Sequence, residues 1–264
     1  MPAIPYWHVD AFTDAAFGGN QAAVMLWEDE FPADAIMQKI GEENNFAETA
    51  YLVPCDGAEA DWQLRWFTPE CEIRLCGHAT LAAGHVLLEQ GGGDEVTFLT
   101  RRAGVLTVRR EGGGYALALP AIPTAPQDWQ AAVAALGTRP QLIHRSPDGY
   151  NVFLFEDEAA VRGLSPDFGA LAAMGDHQFI CTAPGESTDV VSRVFVPGAG
   201  VPEDSVTGSA HAVLTPFWAA RLERDSFTAF QASRRGGLLH CRLDGETAWL
   251  GGACVTVVEG MFRY

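Results

Sequence analysis

The fold is decided by one pattern that occurs twice: Glu72-Ile73-Arg74-Leu75-Cys76-Gly77-His78-Ala79 and Glu203-Asp204-Ser205-Val206-Thr207-Gly208-Ser209-Ala210. Both stretches follow one pattern of eight residues. It begins with Glu, two variable residues and an apolar residue, and it ends with Cys or Thr, then Gly, then His or Ser, then Ala. Their glycines are 131 positions apart, about half the chain. Each stretch follows a β-rich run that ends in proline (Leu64–Pro69 and Ser192–Pro197) and continues into an Ala- and Leu-rich segment typical of a helix. The repeat predicts a duplicated fold with two pseudo-equivalent lobes.

Strand and helix signals around the two stretches indicate an α+β fold. Apolar and β-branched runs predict many strands, whereas the strongest helical segments are Ala79–Glu89 and Ala210–Leu222. Three prolines in Pro120–Pro126 indicate a linker. We therefore expect an N-terminal lobe over residues 1–119 and a C-terminal lobe over residues 127–264, each a sheet curled around its own helix. The last strand of the chain is a candidate to pack back on the first lobe.

Composition and charge exclude several classes of protein. The 264 residues are 48% hydrophobic and 19% charged, which is typical of a globular chain and not of a disordered one. Against 34 Asp and Glu there are 17 Lys and Arg, a formal charge of −17. Such a surface repels nucleic-acid phosphates and anionic lipids. Since the sequence shows neither a long apolar span nor a secretion signal, we expect a cytoplasmic protein that binds no nucleic acid and no membrane.

The lysine and cysteine residues limit the chemistry further. Lys39 is the only lysine, so the chain has no Gly-Lys-[Ser/Thr] phosphate loop, and any pyridoxal-phosphate enzyme would need Lys39 for its Schiff base. Its surroundings predict instead the solvated face of a short helix. The six cysteines include no Cys-x-x-Cys pair, and Cys71, Cys76 and His78 lack further ligands at matching spacing. We therefore expect neither a cofactor nor a metal.

In both repeats a glycine stands at the predicted start of a helix, where unpaired N–H groups bind anions. Gly77 and Gly208 would let a ligand carboxylate approach the backbone closely. If the lobes face one another, the two helix starts converge on one cleft, and a small carboxylate is a natural ligand there. The alternative is that both are ordinary turns between a loop and a helix.

Four side chains in or near these stretches could move protons or bind a substrate. His78 follows the first glycine, and Asp204 and Ser209 flank the second. Each could instead cap a helix or lie on the surface. Glu48 lies where a loop enters a strand, and it is either a general base beside Phe46 or an exposed turn carboxylate.

Six motifs occur in a fixed order along nearly the whole chain: Val9–Thr13, Gly18–Val24, Asn45–Thr49, Phe67–Pro69, Cys76–Thr80 and Glu203–His211. The ordered set resembles the PhzF family, the phenazine biosynthesis-like isomerases. The resemblance implies a fold similar to that of diaminopimelate epimerase. That fold has two pseudo-symmetric lobes, each a barrel-like sheet around a central helix, with the active site between the lobes.

The resemblance also implies the roles of particular residues. Glu48 matches the glutamate that moves a proton between carbons of the substrate, with His78 and Asp204 assisting. The residues that match substrate-binding positions are Asn20, Gly77, Gly208 and Ser209. The implied activity is a cofactor-independent isomerisation of a small carboxylated substrate, such as a cyclic amino acid or a hydroxyanthranilate-like compound. A homodimer is implied by the same resemblance.

Three positions depart from the family pattern. Ser205 and Gln21 stand where the family usually has proline, which affects loop stiffness. Gln231–Gly236 only loosely resembles the family's Gln-Gly segment, and the substrate contacts of that loop stay open.

Two alternative functions stay open. In the related epimerases a Cys precedes the Gly in each lobe, and the two thiols act as paired acid and base. Here Cys76 has Thr207 as its counterpart, which is too weak an acid or base to complete the pair. An epimerase or racemase that uses Cys76 is the second hypothesis. A non-catalytic protein that binds small acids is the third.

Overall fold

The computed structural model describes residues 3–57, 59–91 and 93–264. Its helices are α1 (Asp34–Asn44), α2 (Gly77–Glu89), α3 (Gln130–Leu136), α4 (Glu158–Arg162), α5 (Phe168–Ala172) and α6 (Gly208–Leu222). Its strands are β1 (Ala3–Ala11), β2 (Asn20–Leu26), β3 (Glu48–Pro54), β4 (Trp62–Phe67), β5 (Glu72–Ile73), β6 (Glu95–Thr100), β7 (Val105–Glu111), β8 (Gly114–Pro120), β9 (Ala125–Pro126), β10 (Leu142–Arg145), β11 (Tyr150–Leu154), β12 (Gln178–Pro184), β13 (Val190–Val196), β14 (Val201–Asp204), β15 (Ser226–Gln231), β16 (Gly237–Asp244), β17 (Thr247–Gly252) and β18 (Cys254–Arg263).

The chain divides into two compact units. The first comprises Met1–Leu119 and Gly251–Tyr264, and the second comprises Pro120–Leu250. This division differs from the predicted lobes at two places. The last strand, β18, pairs antiparallel with β1 of the first unit, which is the alternative placement expected for it, so residues 251–264 do not belong with 127–250. The proline-rich segment 120–126 is part of the second unit, where its last two residues form β9 against β10.

The two units repeat one order of strand pairing. In the first unit β2 runs parallel to β3, β3 antiparallel to β4, and β4 parallel to β6. In the second unit β11, β12, β13 and β15 pair in the same alternation. A short strand, β5 or β14, pairs antiparallel with β4 or β13 and leads into the long helix of its unit. The α+β fold with two pseudo-symmetric halves, predicted from the duplicated stretch, is confirmed.

Each long helix forms the core of its unit. In α2 every residue from Gly77 to Leu88 is buried, and the helix contacts the strands β1, β2, β3, β6, β7 and β18 around it. Because a helix that is apolar on all sides must be enclosed, its composition of Ala, Leu, Val and Gly dictates this central position. In α6 the residues from Ala210 to Thr215 are likewise buried.

Pro216 lies inside α6 and changes its hydrogen bonding. A proline has no N–H to donate to the carbonyl four residues earlier, which here is that of Ala212. The N–H of Ile122 donates to this carbonyl instead, at 3.1 Å. The proline-rich segment therefore satisfies the carbonyl that the helix leaves open.

We expect Gly84→Ala to lower the free energy of unfolding by about 2 kcal/mol, since overpacking a core costs about 1–3 kcal/mol. A Cβ atom at Gly84 would lie 2.4 Å from Cγ1 of Val108 on β7. Urea unfolding measures the change. Gly57→Ala, where the nearest atom to an added Cβ is a backbone nitrogen 3.9 Å away, is the control and should have little effect. Recovery of stability in Gly84→Ala/Val108→Ala would confirm the cause, and an unaltered stability of the single variant would refute it.

No helix within residues 3–57, 59–91 and 93–264 is both long enough and apolar enough to cross a membrane.

Candidate active site

Glu48 is the first residue of β3, and the preceding turn fixes its position. Helix α1 ends at Asn44 and is capped by Asn45, which has a left-handed backbone (φ 50°) and donates its N–H to the carbonyl of Gly41 at 3.1 Å. The side-chain amide of Asn44 then donates to the hydroxyl of Thr49 at 3.0 Å. The turn thus delivers the carboxylate of Glu48 to the N-terminal end of a buried strand.

The start of α2 brings an imidazole to this carboxylate. His78 lies in the first turn of α2, and its side chain is 4% exposed. Its Nε2 is 2.9 Å from Oε2 of Glu48. This contact with Glu48 helps to raise the pKa of His78, and Oε2 of Glu48 has no hydrogen-bond partner besides His78 in the described part of the chain. The contact is therefore a close ion pair in which one carboxylate oxygen keeps a lone pair available.

Two further side chains fix the imidazole of His78. The amide of Asn20, a buried residue at the start of β2, lies 3.1 Å from Nδ1. The sulfur of Cys76, the residue before α2, lies 3.6 Å from the same nitrogen. Because a half-turn exchanges the amide nitrogen and oxygen, the Asn20 oxygen can accept a hydrogen bond from Nδ1–H.

The charges of this group favour a protonated imidazole and a protonated thiol. Burial disfavours the charged form of His78, but the contact with Cys76 and the negative charge and contact of Glu48 outweigh burial and raise the pKa of His78 above 6.5. Burial and the charge of Glu48 raise the pKa of the Cys76 thiol to about 11. Since a thiol with this pKa is protonated at neutral pH, the carboxylate of Glu48 is the anion that pairs with the imidazolium.

An aromatic pair stands beside the same turn. The rings of His8 and Phe46 stack with their centroids 4.3 Å apart. Nε2 of His8 is 3.2 Å from the side-chain amide of Gln21 and 3.7 Å from a carboxylate oxygen of Asp10. Gln21 stands where the family usually has proline, and its amide here contacts a histidine. The sequence motifs gave no sign of His8, because its partners are brought together only by the pairing of β1 with β2.

In the second unit Asp204 ends β14 and is held by the loop before α6. Its Oδ1 accepts the N–H of Ser205 at 2.8 Å, and its Oδ2 accepts the hydroxyl of Thr207 at 2.6 Å. The buried side chain of Gln231 accepts the N–H of Thr207 at 2.8 Å and donates to the carbonyl of Asp204 at 2.8 Å. Gln231 thus fixes both ends of the loop that leads to Gly208.

Ser209 lies in the first turn of α6 and contacts a glutamine that sequence reasoning missed. Nε2 of Gln178, at the start of β12, donates to Oγ of Ser209 at 2.9 Å. Because this oxygen accepts one bond, the hydroxyl proton is left to donate elsewhere. Oε1 of Gln178 is buried and has no hydrogen-bond partner among the described residues.

His211 is buried two residues after Ser209 in α6. Its Nδ1 is 2.8 Å from the carbonyl of Thr207, and its Nε2 is 3.5 Å from the hydroxyl of Ser192. Burial lowers the pKa of His211 to about 4, although the contact with the Thr207 carbonyl opposes this. The ring is therefore neutral at physiological pH, and its Nδ1–H donates to the carbonyl.

We expect His211 to make the protein less stable in acid. Between pH 6.5 and about 4 the unfolded chain binds a proton at this residue that the folded chain does not bind. Stability therefore falls as the pH is lowered through this window, by up to about 3 kcal/mol. Urea unfolding from pH 7.5 to 4.5 measures the slope. His211→Gln should flatten it, whereas His240→Gln, at an exposed histidine, should not; equal slopes for wild type and His211→Gln would contradict the assignment.

The structure brings the sequence-predicted residues together within each unit. In the first unit Glu48, His78 and Asn20 meet at the start of α2, which begins at Gly77. In the second unit Asp204 is bonded to the loop before α6, whose first two residues are Gly208 and Ser209.

Comparisons with known proteins point to one family. A family model described as phenazine biosynthesis-like protein (PhzC-PhzF) matches residues 9–260. An uncharacterized isomerase of Pseudomonas aeruginosa is 45% identical over 263 residues, which cover 98% of each chain. A phenazine biosynthesis-like domain-containing protein of Homo sapiens is 38% identical over 97% of this chain and 98% of its own.

Solved structures agree with the fold. The crystal structure of a PhzF family phenazine biosynthesis protein from Enterococcus faecalis superposes with a TM-score of 0.92 at 38% identity, over 100% of both chains. A hydroxyproline epimerase from Agrobacterium vitis has a TM-score of 0.60 at 13% identity, over 98% of this chain and 92% of its own, and shares the fold alone.

Proposed function

This chain belongs to the PhzC-PhzF family of phenazine biosynthesis-like proteins, and from that premise we propose that it is an isomerase in which Glu48 moves a proton between two carbons of one substrate without a cofactor. The observation that carries the proposal is the contact between Glu48 and His78. It places a buried imidazolium 2.9 Å from a carboxylate oxygen that has no other hydrogen-bond partner among the described residues.

In the proposed reaction the carboxylate of Glu48 accepts a proton from an activated carbon, breaking one C–H bond. The double bond shifts, the proton on the carboxylate exchanges with solvent, and the same carboxylate delivers a proton to another carbon. The electron count of the substrate is unchanged, so no oxidant or reductant is needed. The imidazolium of His78 lies where it can stabilise negative charge that develops near Glu48, and Asn20 keeps the ring in place.

A single acid–base group is favoured over a pair of thiols. Cys76 is protonated at neutral pH because burial and Glu48 raise its thiol pKa to about 11. At the equivalent position of the second repeat, the hydroxyl of Thr207 is engaged with Asp204 at 2.6 Å. These observations support a proton shift between carbons over inversion at one carbon by two bases.

The proposed substrate is a small carboxylated compound. The start of a helix offers N–H groups that bind carboxylates without a basic side chain, which suits a chain with a formal charge of −17. In the first unit the proposed contacts are Gly77 and Asn20. In the second unit we propose, from the family motifs, that Asp204, Gly208 and Ser209 contact the substrate's polar groups.

Incubation with a panel of small cyclic and amino carboxylic acids in heavy water tests the proposal. We expect one class of acid to gain a deuteron with wild-type protein and not without it, as read by mass spectrometry. If no acid exchanges while binding is detected by calorimetry, the non-catalytic alternative is favoured. If iodoacetamide abolishes exchange and substrate protects against it, the epimerase alternative with Cys76 is favoured.

A further inference from the structure

Gln178 occupies in the second unit the place that Glu48 occupies in the first. Strands β3 and β12 each have 7 residues, begin at Glu48 and Gln178, and end in a proline. Each is parallel to the strand before it in the chain and antiparallel to the strand after it. The two residues are 130 positions apart, close to the 131 positions between Gly77 and Gly208. Gln178 is therefore the counterpart of Glu48 in the duplicated fold.

The contacts of the two residues repeat as well. Oε2 of Glu48 lies 2.9 Å from Nε2 of His78, the second residue of α2. Nε2 of Gln178 lies 2.9 Å from Oγ of Ser209, the second residue of α6. The first pair is charged, because an imidazolium faces a carboxylate. The second pair is neutral, because neither an amide nor a serine hydroxyl titrates near neutral pH. The duplicated fold thus contains one charged pair suited to proton transfer and one neutral pair suited to hydrogen bonding.

A second contact between β12 and α6 supports the position of Gln178 at the helix start. Thr182, four residues further along β12, faces the same side of the sheet. Its hydroxyl accepts the indole N–H of Trp218 at 3.0 Å, and Trp218 lies nine residues after Ser209. Four strand residues rise about 13 Å, and nine helix residues rise about 13.5 Å. Strand and helix therefore run side by side, with Gln178 beside the first turn of α6.

The amide of Gln178 is turned so that it donates to Ser209. Its Oε1 is buried and has no hydrogen-bond partner among the described residues. The reversed amide would bury an N–H there instead, and a buried N–H without a partner is rarer than a buried carbonyl oxygen without one. Since Oγ of Ser209 accepts the amide N–H, the proton of its own hydroxyl can be donated to a bound ligand. Ser209 is partly exposed, so a ligand can reach this hydroxyl.

We propose that Gln178 is a positioning residue that makes the hydroxyl of Ser209 a hydrogen-bond donor to the substrate's carboxylate. The N–H groups in the first turn of α6 are further donors at this point, because the side chain of Thr207 does not cap the helix. A glutamate in place of Gln178 would accept the proton of Ser209 and repel a carboxylate. The neutral amide therefore selects an anionic group. The inference rests on the proposed function, since it concerns how the same substrate is bound.

Calorimetry with two pairs of probes tests this role without requiring turnover. Anthranilate and proline are acids of the proposed classes, and their carboxamides, anthranilamide and prolinamide, lack the negative charge. Wild type should bind at least one acid more tightly than its amide. Gln178→Glu should weaken the binding of that acid by about 10- to 100-fold, because a hydrogen bond to a charged group is lost and a like charge is added. The affinity for the amide should fall by less than about threefold.

The loss of affinity in Gln178→Glu should depend on pH. The carboxylate of the probe favours the neutral form of a nearby glutamate, and a protonated carboxyl group can donate as the amide does. Relative to wild type at the same pH, the affinity should recover about two- to fourfold from pH 7.5 to 5.5. Misfolding would give no such recovery, and circular dichroism verifies the fold. The matched control Gln141→Glu adds the same charge at an exposed glutamine and should bind as wild type does.

A double-mutant cycle shows whether Gln178 acts through Ser209. Gln178→Met keeps the length of the side chain but has no N–H, and it should weaken binding of the acid about 3- to 10-fold, the contribution of one neutral hydrogen bond. In the Ser209→Ala background the same substitution should have an effect of less than about twofold. Equal losses in both backgrounds, unchanged affinity of Gln178→Glu, or a wild type that prefers neither acid to its amide would overturn the proposal.

Turnover separates this inference from the proposed function. For a substrate found by the heavy-water panel, Gln178→Met should raise KM with little change of kcat, since Glu48 is untouched. If the probes bind as expected but no acid exchanges a proton, the positioning role stands and the proposed function fails. If an acid exchanges its proton and Gln178→Met leaves KM unchanged, the proposed function stands and the positioning role fails.

Discussion

Glu48→Gln is expected to lower kcat/KM by about 10³-fold, because general acid–base catalysis contributes about 10²–10⁴-fold and the amide cannot accept the substrate's proton. The melting temperature should change by less than about 3 °C. Gln keeps the size and polarity of the side chain, and His78 can lose its proton once the carboxylate is gone. Initial rates and thermal unfolding of the purified variant measure both quantities.

The matched control for this substitution is Glu43→Gln, which changes an exposed glutamate of α1. It should keep wild-type kinetics and stability. A Glu48→Gln variant with more than a tenth of wild-type kcat/KM would refute the role of Glu48. A large loss of melting temperature would show that the carboxylate is needed for folding, and activity would then have to be compared on the folded fraction.

His78→Gln is expected to lower kcat by about 10²-fold with a smaller effect on KM. Preorganised donors that stabilise charge in the transition state are worth about 10²–10³-fold, and the Gln amide carries no positive charge. Steady-state kinetics separates kcat from KM. A rise of KM alone would assign His78 to substrate binding. Unchanged kinetics would contradict a catalytic role of the ion pair between His78 and Glu48.

The charge of His78 can be measured independently of any substrate. Nitrogen NMR of labelled protein should show His78 titrating above pH 6.5, because the anionic Glu48 stabilises the imidazolium. In Glu48→Gln the midpoint should move down. The same midpoint in both proteins would show that Glu48 does not set the charge of His78.

Much of the fold could be predicted because the decisive sequence pattern occurs twice in the chain. The two Gly-led stretches at 72–79 and 203–210 lie between corresponding strands, and the repeated order of parallel and antiparallel pairs follows from that duplication. The packing of the last strand on the first lobe was expected only as an alternative to its place in the second lobe. No local signal says that β18 pairs with β1, since the two strands are separated by the whole sequence.

The site residues that belong to sequence motifs could be predicted. The residues that reach the site only through strand pairing could not. Glu48, His78 and Asn20 stand in motifs, and the structure brings them into contact. Gln178 stands in no motif, and it meets Ser209 only through the position of β12. Cys76 approaches the imidazole of His78 because both residues lie at the start of α2. The spacing of the residues in the sequence did not reveal this contact. The homodimer, the cytoplasmic location and the role of each site residue stay predictions.

In the proposed reaction one carboxylate moves a proton from one carbon to another. NMR of the product formed in heavy water shows where the proton is delivered, once the panel has identified a substrate. We predict a single deuteron at a carbon other than the one that lost its proton, with no such product from Glu48→Gln. Deuterium at the original carbon with inverted configuration, or the same labelled product from Glu48→Gln, would contradict the account.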